Sequence, residues 1–508
     1  MTCCAVTLAA ALWVLLPQVP TASALTPRAP IHILGNSDFT PANGVVSGVG
    51  SYTDPYIIEG WDISAASNHG IWIEYTTVYF VVRNCYVHEG APSYHGVYFY
   101  QVFNGRVETV ESSWNLWGIT LINSGSEDYG NVIANCYLHE NWWTGIYLEG
   151  SSFTEISFNL LNQNDEGYRS LNSANNALTS NRAKENVNNG FSLQNCDNTT
   201  LIDNTADGGL QSGFALIHSD NSILKDNTGS NSWYGIVIDN SRNCLLSSNT
   251  ASQNIEGFVL AESAHNWLLD NVANNNGNGF YIIYADNNTL AGNIANNNAN
   301  SGTYLSNSKG NTLDGNTANN NNQDGIRLES SSNNNTLTSN TAENNQYGIL
   351  VSSSSDNRVS GSNTNNNSYY GIYLASSSNN TLTSNIANNN YVYGFFLDGS
   401  SDNTLTSNTA NNNINVGIFL FISSSDNTLA ANTANNNNNG IALTSSSGNT
   451  LTGSNTNNNN YYGIFLDGSS GNNRVVSNAC YDNTNYDIVN QGTDNFFQYN
   501  SYGTKSGF

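Results

Sequence analysis

A glycine followed by an apolar residue returns along this chain at an almost constant interval. Gly325-Ile326, Gly348-Ile349, Gly371-Ile372, Gly394-Phe395, Gly417-Ile418, Gly440-Ile441 and Gly463-Ile464 are each 23 residues apart. The same mark falls at Gly302, Gly279, Gly257, Gly235, Gly213, Gly190, Gly167, Gly145, Gly118, Gly96 and Gly70, at spacings of 22, 23, 26 or 27 residues. A fixed period in this range means a solenoid, in which a repeat buries its apolar face only against its neighbours. Within one row Gly371-Ile372-Tyr373-Leu374 alternates, Thr381-Leu382-Thr383 alternates again, and Ile386-Ala387 precedes an asparagine run. Short period-2 segments between Asn, Ser and Gly read as strands joined by turns. A helical repeat would need apolar residues at i, i+3 and i+4 and enrichment in Ala, Leu, Glu and Lys, which these rows lack. The expected fold is all-β: a right-handed parallel β-helix of about 18 coils with 22 to 27 residues per coil. Coils stacked ~4.8 Å apart would make a rod of roughly 80 Å.

The 13 Lys and Arg against 38 Asp and Glu give a formal charge of -25. Such a charge repels phosphate backbones and anionic surfaces, which excludes nucleic acid as a partner. An apolar run from Ala5 to Leu16, followed by Thr21-Ala22-Ser23-Ala24, has the form of a signal peptide, although no Lys or Arg precedes it. The mature chain is therefore expected from near Leu25, secreted or at the cell surface, with no membrane span after signal removal. Cys85, Cys136, Cys196, Cys244 and Cys480 remain, an odd and widely spread set that reads as buried small apolar residues, not a disulfide framework. Five Asn-x-Ser/Thr sequons, at Asn198, Asn287, Asn334, Asn366 and Asn379, permit glycosylation without arguing for it.

Asparagine recurs after the second strand, at Asn340, Asn363, Asn385, Asn408, Asn432, Asn455 and Asn478. The position suits an internal amide ladder, and Asn also tolerates the left-handed backbone of a tight turn. The organisation expected is a signal peptide at 1–24, an N-terminal cap at 25–66, the β-helix at 67–482 and a C-terminal cap at 483–508.

Rows such as Gly371-Ile372-Tyr373-Leu374 through Asn379-Asn380-Thr381-Leu382-Thr383-Ser384-Asn385 resemble the repeats of NosD-like proteins, within the wider pectate-lyase-like, carbohydrate-binding and sugar-hydrolase group. The resemblance spans residues 66–482 or so, and Pro30-Ile31-His32-Ile33 to Tyr56-Ile57-Ile58-Glu59-Gly60-Trp61 looks like the opening of secreted archaeal members. It implies the fold strongly and the activity weakly, because the group holds lyases, hydrolases, epimerases, surface proteins and a periplasmic copper-related accessory protein.

If the first and third residues after each Gly point inward, the second and fourth point outward. The first outward column then carries Trp72, Tyr98, Tyr147, Tyr281, Tyr304, Tyr373 and Phe396, a stripe fit to stack on the sugar rings of a polysaccharide or on a surface partner. The second holds Glu74, Glu149, Asp239, Glu329, Asp398 and Asp467, whose neighbours are at least three coils, roughly 14 Å, apart. That separation exceeds the roughly 5 to 10 Å of glycosidase carboxyl pairs. Arg169, diagonal to Glu149, reads as its surface ion-pair partner. His69 and His95 precede the marking Gly on successive coils, a two-ligand arrangement weak for a metal, and His88-Glu89 and His139-Glu140 recur two coils apart. The only methionine is Met1, which argues against a copper role. The leading expectation is carbohydrate or surface-partner binding without catalysis. A polysaccharide lyase, hydrolase or epimerase, with its site near Glu74, Glu149, Arg169, His69 and His95, is the alternative, and a NosD-like copper accessory protein stands third. The residues name no cofactor and leave enzyme activity open.

Overall fold

The structure is a computed structural model that describes residues 25–507; the leader expected at 1–24 lies outside them. The chain winds into a right-handed parallel β-solenoid of about 19 turns, with about 23 residues per turn and nearly no helix. Each turn contributes to three sheets. The first runs from Ile31–Leu34 to Lys505–Ser506 and contains the segment after each marking glycine. Its ladder sets like on like: Ile349, Ile372, Phe395, Ile418, Ile441 and Ile464 are successive partners. The second sheet holds the Thr-Leu-Thr segments, such as Thr381–Thr383 paired with Thr404–Thr406. The third is formed by short strands up to Val272–Asn274 and then narrows to single bridges such as Ile386↔Thr409. The narrowing has a side-chain cause. In these later coils an outward asparagine oxygen takes the backbone N–H one coil on, as Asn388 Oδ1 does from Asn411 N at 2.7 Å, in place of a ladder partner.

In each coil the first and third residues after the glycine are buried, Ile372 and Leu374 for example, as are the central Leu382 of the second sheet and Ala387 of the third. These columns merge into one apolar core from Ile31 to Ile488 that includes all five described cysteines, each a free thiol. Burial pushes the Cys85 thiol up to about 11 and Cys136 to about 12. The glycine itself is required by close approach. A Cβ on Gly371 would lie 2.6 Å from Ala387 Cβ and 2.7 Å from the Gly394 carbonyl oxygen.

From the coil that starts at Gly302 to the one that starts at Gly463 every turn has four corners, and each corner buries one polar side chain, whereas earlier corners also bury Cys85, Val110, Cys136, Cys196, Cys244 and Ala285. In the coil that starts at Gly371 these are Ser377, Asn380, Asn385 and Asn390. The residue before each one is left-handed: Ser376, Asn379, Ser384 and Asn389 have φ of 48°, 58°, 55° and 57°. The left-handed residue turns the chain, and the next side chain then points inward. There it hydrogen-bonds along the stack: Asn385 Oδ1 accepts from Ser362 N, while Asn385 Nδ2 donates to Val359 O and to Asn408 Oδ1, all within 2.9 to 3.0 Å. The solenoid thus holds three asparagine columns and one serine column where the sequence reading saw one column. That reading also needs two corrections. Asn363 and Asn455 turn outward, because the corner falls three residues after the buried strand residue (Val359, Leu451), where Ser362 and Ser454 stand. The left-handed backbone belongs to the residue before the ladder asparagine, not to the asparagine.

Residues 26–64 already contribute strands to the ladders, with Phe39 buried against Tyr56 and Phe80 at the open end. At the other end Asn459 Nδ2 donates to Asn483 Oδ1, and Asn483 Nδ2 to the buried Asp487 carboxylate at 2.7 Å. Asp487 Oδ2 also accepts from the N–H groups of Gly503 and Thr504, at 2.8 and 2.7 Å. Burial alone would raise this carboxyl, but the hydrogen bonds from Asn483, Thr504 and Gly503 hold it below its usual range.

Candidate functional site

The outward face of the first sheet presents the second and fourth residues after each glycine, as the alternation requires. It also presents a column that sequence reasoning missed as a column, the residue immediately before the glycine. The close-packed glycine bends the strand and interrupts the alternation, so residues three apart, such as Asp324 and Arg327, come to the same face. The aromatic stripe is therefore two columns wide. The signal was written in the sequence, since Tyr347, Tyr370, Tyr393 and Tyr462 each precede a marking glycine.

At the N-terminal end the two columns merge into a cluster. Trp72 stacks on His32 with centroids 4.1 Å apart, and His32 Nε2 lies 2.8 Å from Glu74 Oε1. His69 stacks on Tyr98 at 4.8 Å and meets His95 edge-on at 4.6 Å. His95 packs edge-on against Trp117, which stacks on Tyr147 at 5.2 Å. His32 and Trp117 joined this cluster without having been singled out. The half-buried rings cover one another, and Trp72 Nε1 is buried with no hydrogen-bond partner.

The two histidines are committed to the fold. His69 Nδ1 accepts the backbone N–H of His95 at 3.1 Å, and His95 Nδ1 lies 2.9 Å from Thr120 Oγ1. Burial, and then His69, push His95 down to about 3; burial and His32 also lower His69. Among the described residues no three His, Cys, Asp or Glu side chains are grouped to hold a metal ion. His88 and His139 lie on the third sheet against Asp62 at 2.9 Å and Glu111 at 3.2 Å.

The carboxylates stand differently from the sequence reading. Arg169 pairs with Glu166, at 3.3 Å, and not with Glu149, because Glu166 occupies the extra outward column. Glu149 instead accepts the Tyr147 hydroxyl at 2.9 Å, and burial with that bond pushes Tyr147 up to about 12. Seven coils further on the pattern returns. Arg327 reaches Asp324 at 3.4 Å and Glu329 at 2.6 Å, and the Tyr304 hydroxyl donates to Glu329 at 2.9 Å. Carboxylates thus do converge, two on one guanidinium, where the fourth-residue column alone kept them apart. Asp324 is 1% exposed, one of its oxygens has no partner, and burial, opposed by Arg327, pushes it up to about 6.

Tyr281 stacks on Tyr304 at 5.1 Å. Beyond Arg327 a continuous aromatic band resumes, with Tyr370 stacked on Tyr393 at 5.1 Å and Tyr373 on Phe396 at 5.0 Å. Phe396, 7% exposed, is the most covered of the predicted ring residues, being packed among Tyr370, Tyr393, Phe419 and Phe421.

A repeat solenoid with one aromatic face defines the chain as a parallel β-helix protein, and a right-handed β-helix family model matches residues 344–480. The chain belongs to the family described as periplasmic copper-binding protein (NosD), whose model matches residues 46–223 and 206–361. No curated protein matches it. Among solved structures it is similar to the periplasmic alginate epimerase AlgG, at 13% identity and TM-score 0.35 over 74% of this chain and 77% of that one. The A-module of the mannuronan C-5 epimerase AlgE6 of Azotobacter vinelandii is 14% identical, with TM-score 0.30 over 70% and 89%. Tailspike protein 2 of an Escherichia coli O157:H7 bacteriophage is 15% identical, with TM-score 0.37 over 53% and 38%.

Proposed function

We propose that this is an extracytoplasmic β-helix protein that binds a neutral polysaccharide along the outward face of its first sheet, without cleaving it. The observation that carries the reading is the pair of two-column ring clusters on one face of the sheet, from His69 to Tyr147 and from Tyr347 to Phe419, on strands ~4.8 Å apart. A net charge of -25 disfavours acidic polymers and favours neutral ones. The arginine-held carboxylates support the same reading: Glu166 and Asp324 are buried and bound to their arginines, which positions the arginines more than it offers an acid to a substrate.

Two other readings rest on particular observations. Convergence of Asp324, Arg327, Glu329 and Tyr304 favours a lyase, hydrolase or epimerase. The family's description names copper, and the donors fit it poorly: each ring of the His69 and His95 pair has one nitrogen engaged, the cysteines are buried and no methionine follows Met1.

The test is incubation with neutral polysaccharides, scoring both retention on the polymer and release of reducing or unsaturated ends. Retention without release, reduced at least tenfold by Trp72→Ala with Tyr98→Ala, is the expected result. Release abolished by Arg327→Ala would install the enzyme reading, and stoichiometric copper retention lost in His69→Ala would install the metal one.

A further inference from the structure

We propose that the coil starting at Gly440 carries a slot for one neutral pyranose ring, held between Phe419 and Phe465. The proposal rests on the polysaccharide reading above and places one sugar within it.

From Tyr347 to Phe465 both outward columns carry Leu, Val or aromatic side chains in every coil but one. The exception has Asn439 before its glycine and Ala442 after it. The ladder sets Val416, Asn439 and Tyr462 in one column and Phe419, Ala442 and Phe465 in the next, so the gap is one coil high and two columns wide. Phe419 and Phe465 are two coils, roughly 9.6 Å, apart along the axis. A ring in van der Waals contact on both faces takes about 7 to 8 Å of that. The resulting cavity is about 300 Å³ and is lined by Tyr393, Val416, Phe419, Asn439, Tyr461 and Phe465 among others. That is the small end of the range for ligand sites, suited to a single sugar unit.

The chemistry of the walls selects the occupant. No charged side chain lines the slot, whereas the amides of Asn415, Asn438 and Asn439 and the hydroxyl of Thr444 do. Asn439 Oδ1 is buried and has no hydrogen-bond partner. A ligand hydroxyl would supply the missing donor once the amide turns about its terminal torsion. Two apolar ring faces with a rim of hydroxyls match such a slot, whereas an aromatic peptide side chain brings too few donors for these amides.

The full mature chain is titrated with methyl glucosides, mannosides and galactosides by saturation-transfer NMR, and with cellohexaose, mannohexaose and maltohexaose by calorimetry. Ala442→Phe fills the slot with the residue that the same column carries at Phe419 and Phe465, and Asn439→Val copies Val416, so both variants preserve the ladder. Trp72 lies sixteen coils, roughly 77 Å, from Ala442, beyond the reach of a hexasaccharide, so the two places bind independently. Residual binding of at least one sugar in Trp72→Ala with Tyr98→Ala, weakened more than tenfold when Ala442→Phe is added and several-fold when Asn439→Val is added, is expected. Binding untouched by Ala442→Phe but lost in Trp72→Ala with Tyr98→Ala would overturn the slot and leave the polysaccharide reading standing. The reverse pattern would keep the slot and remove the N-terminal band; no binding of any probe would overturn both.

Discussion

Replacing Asn293 by alanine removes one rung from the middle of an asparagine column, and the loss can be worked from the contacts. Asn293 Oδ1 accepts from the backbone N–H of Asn271 at 2.9 Å and from Asn271 Nδ2 at 3.1 Å. Its Nδ2 donates to Leu268 O at 2.9 Å and to Asn316 Oδ1 at 3.0 Å. After the change, the buried Asn271 N–H has no acceptor, which costs about 1 to 3 kcal/mol, and each of the other bonds contributes about 1 kcal/mol. The expected destabilisation is about 4 to 6 kcal/mol. Because each coil touches only its neighbours, the damage stays local and splits the rod at that point. Hydrogen exchange at the Asn271 amide is the direct assay. Its protection should fall more than a hundredfold, since 1.4 kcal/mol is tenfold, and guanidinium unfolding followed by circular dichroism should show an earlier transition. The exposed Asn322→Ala serves as control, with a change within about 0.5 kcal/mol. If Asn293→Ala behaved like that control and Asn271 kept its protection, the ladder would not hold the coils together.

Two titrations test the electrostatics. His95, lowered to about 3 by burial and by His69, stays neutral in the folded chain while the unfolded chain takes up a proton below about 6.5. Stability should therefore fall on acidification through that window, by up to about 1.4 kcal/mol per pH unit; an NMR midpoint for His95 near 6.5 would refute this. Asp487 has the opposite origin, a carboxyl lowered by its hydrogen bonds, so its contribution is complete above its unfolded value of 3.8 and lost as pH falls through the lower folded one. Proteolysis of residues 501–507 should rise across that acid window, and Asp487→Asn should cleave readily at every pH.

The coil was legible because from Gly70 to Gly463 its glycine has a packing reason, close approach to the next coil, so the mark repeats there even where the other residues drift. Inward Ile372 and Leu374 and outward Tyr373 followed from the two-residue alternation alone. The second outward column was not read, because alternation says nothing of the bend at the glycine, and that bend is what brings Glu166 to Arg169 and Asp324 to Arg327. Asn363 and Asn455 were misplaced for a related reason. A corner is set by its distance from the buried strand residue, and a neighbouring asparagine one place on carries the same letter without the same position. His32 escaped notice because it falls before the first marked glycine.

The interchangeable columns also bear on how such a gene can change. Excising residues 371–393 in frame would bring Tyr370 against Gly394 and leave every corner facing a corner of the same kind. Molecular length is thus a quantity that steps by one coil when a repeat is lost or gained, and the length of the first sheet can evolve without a new fold.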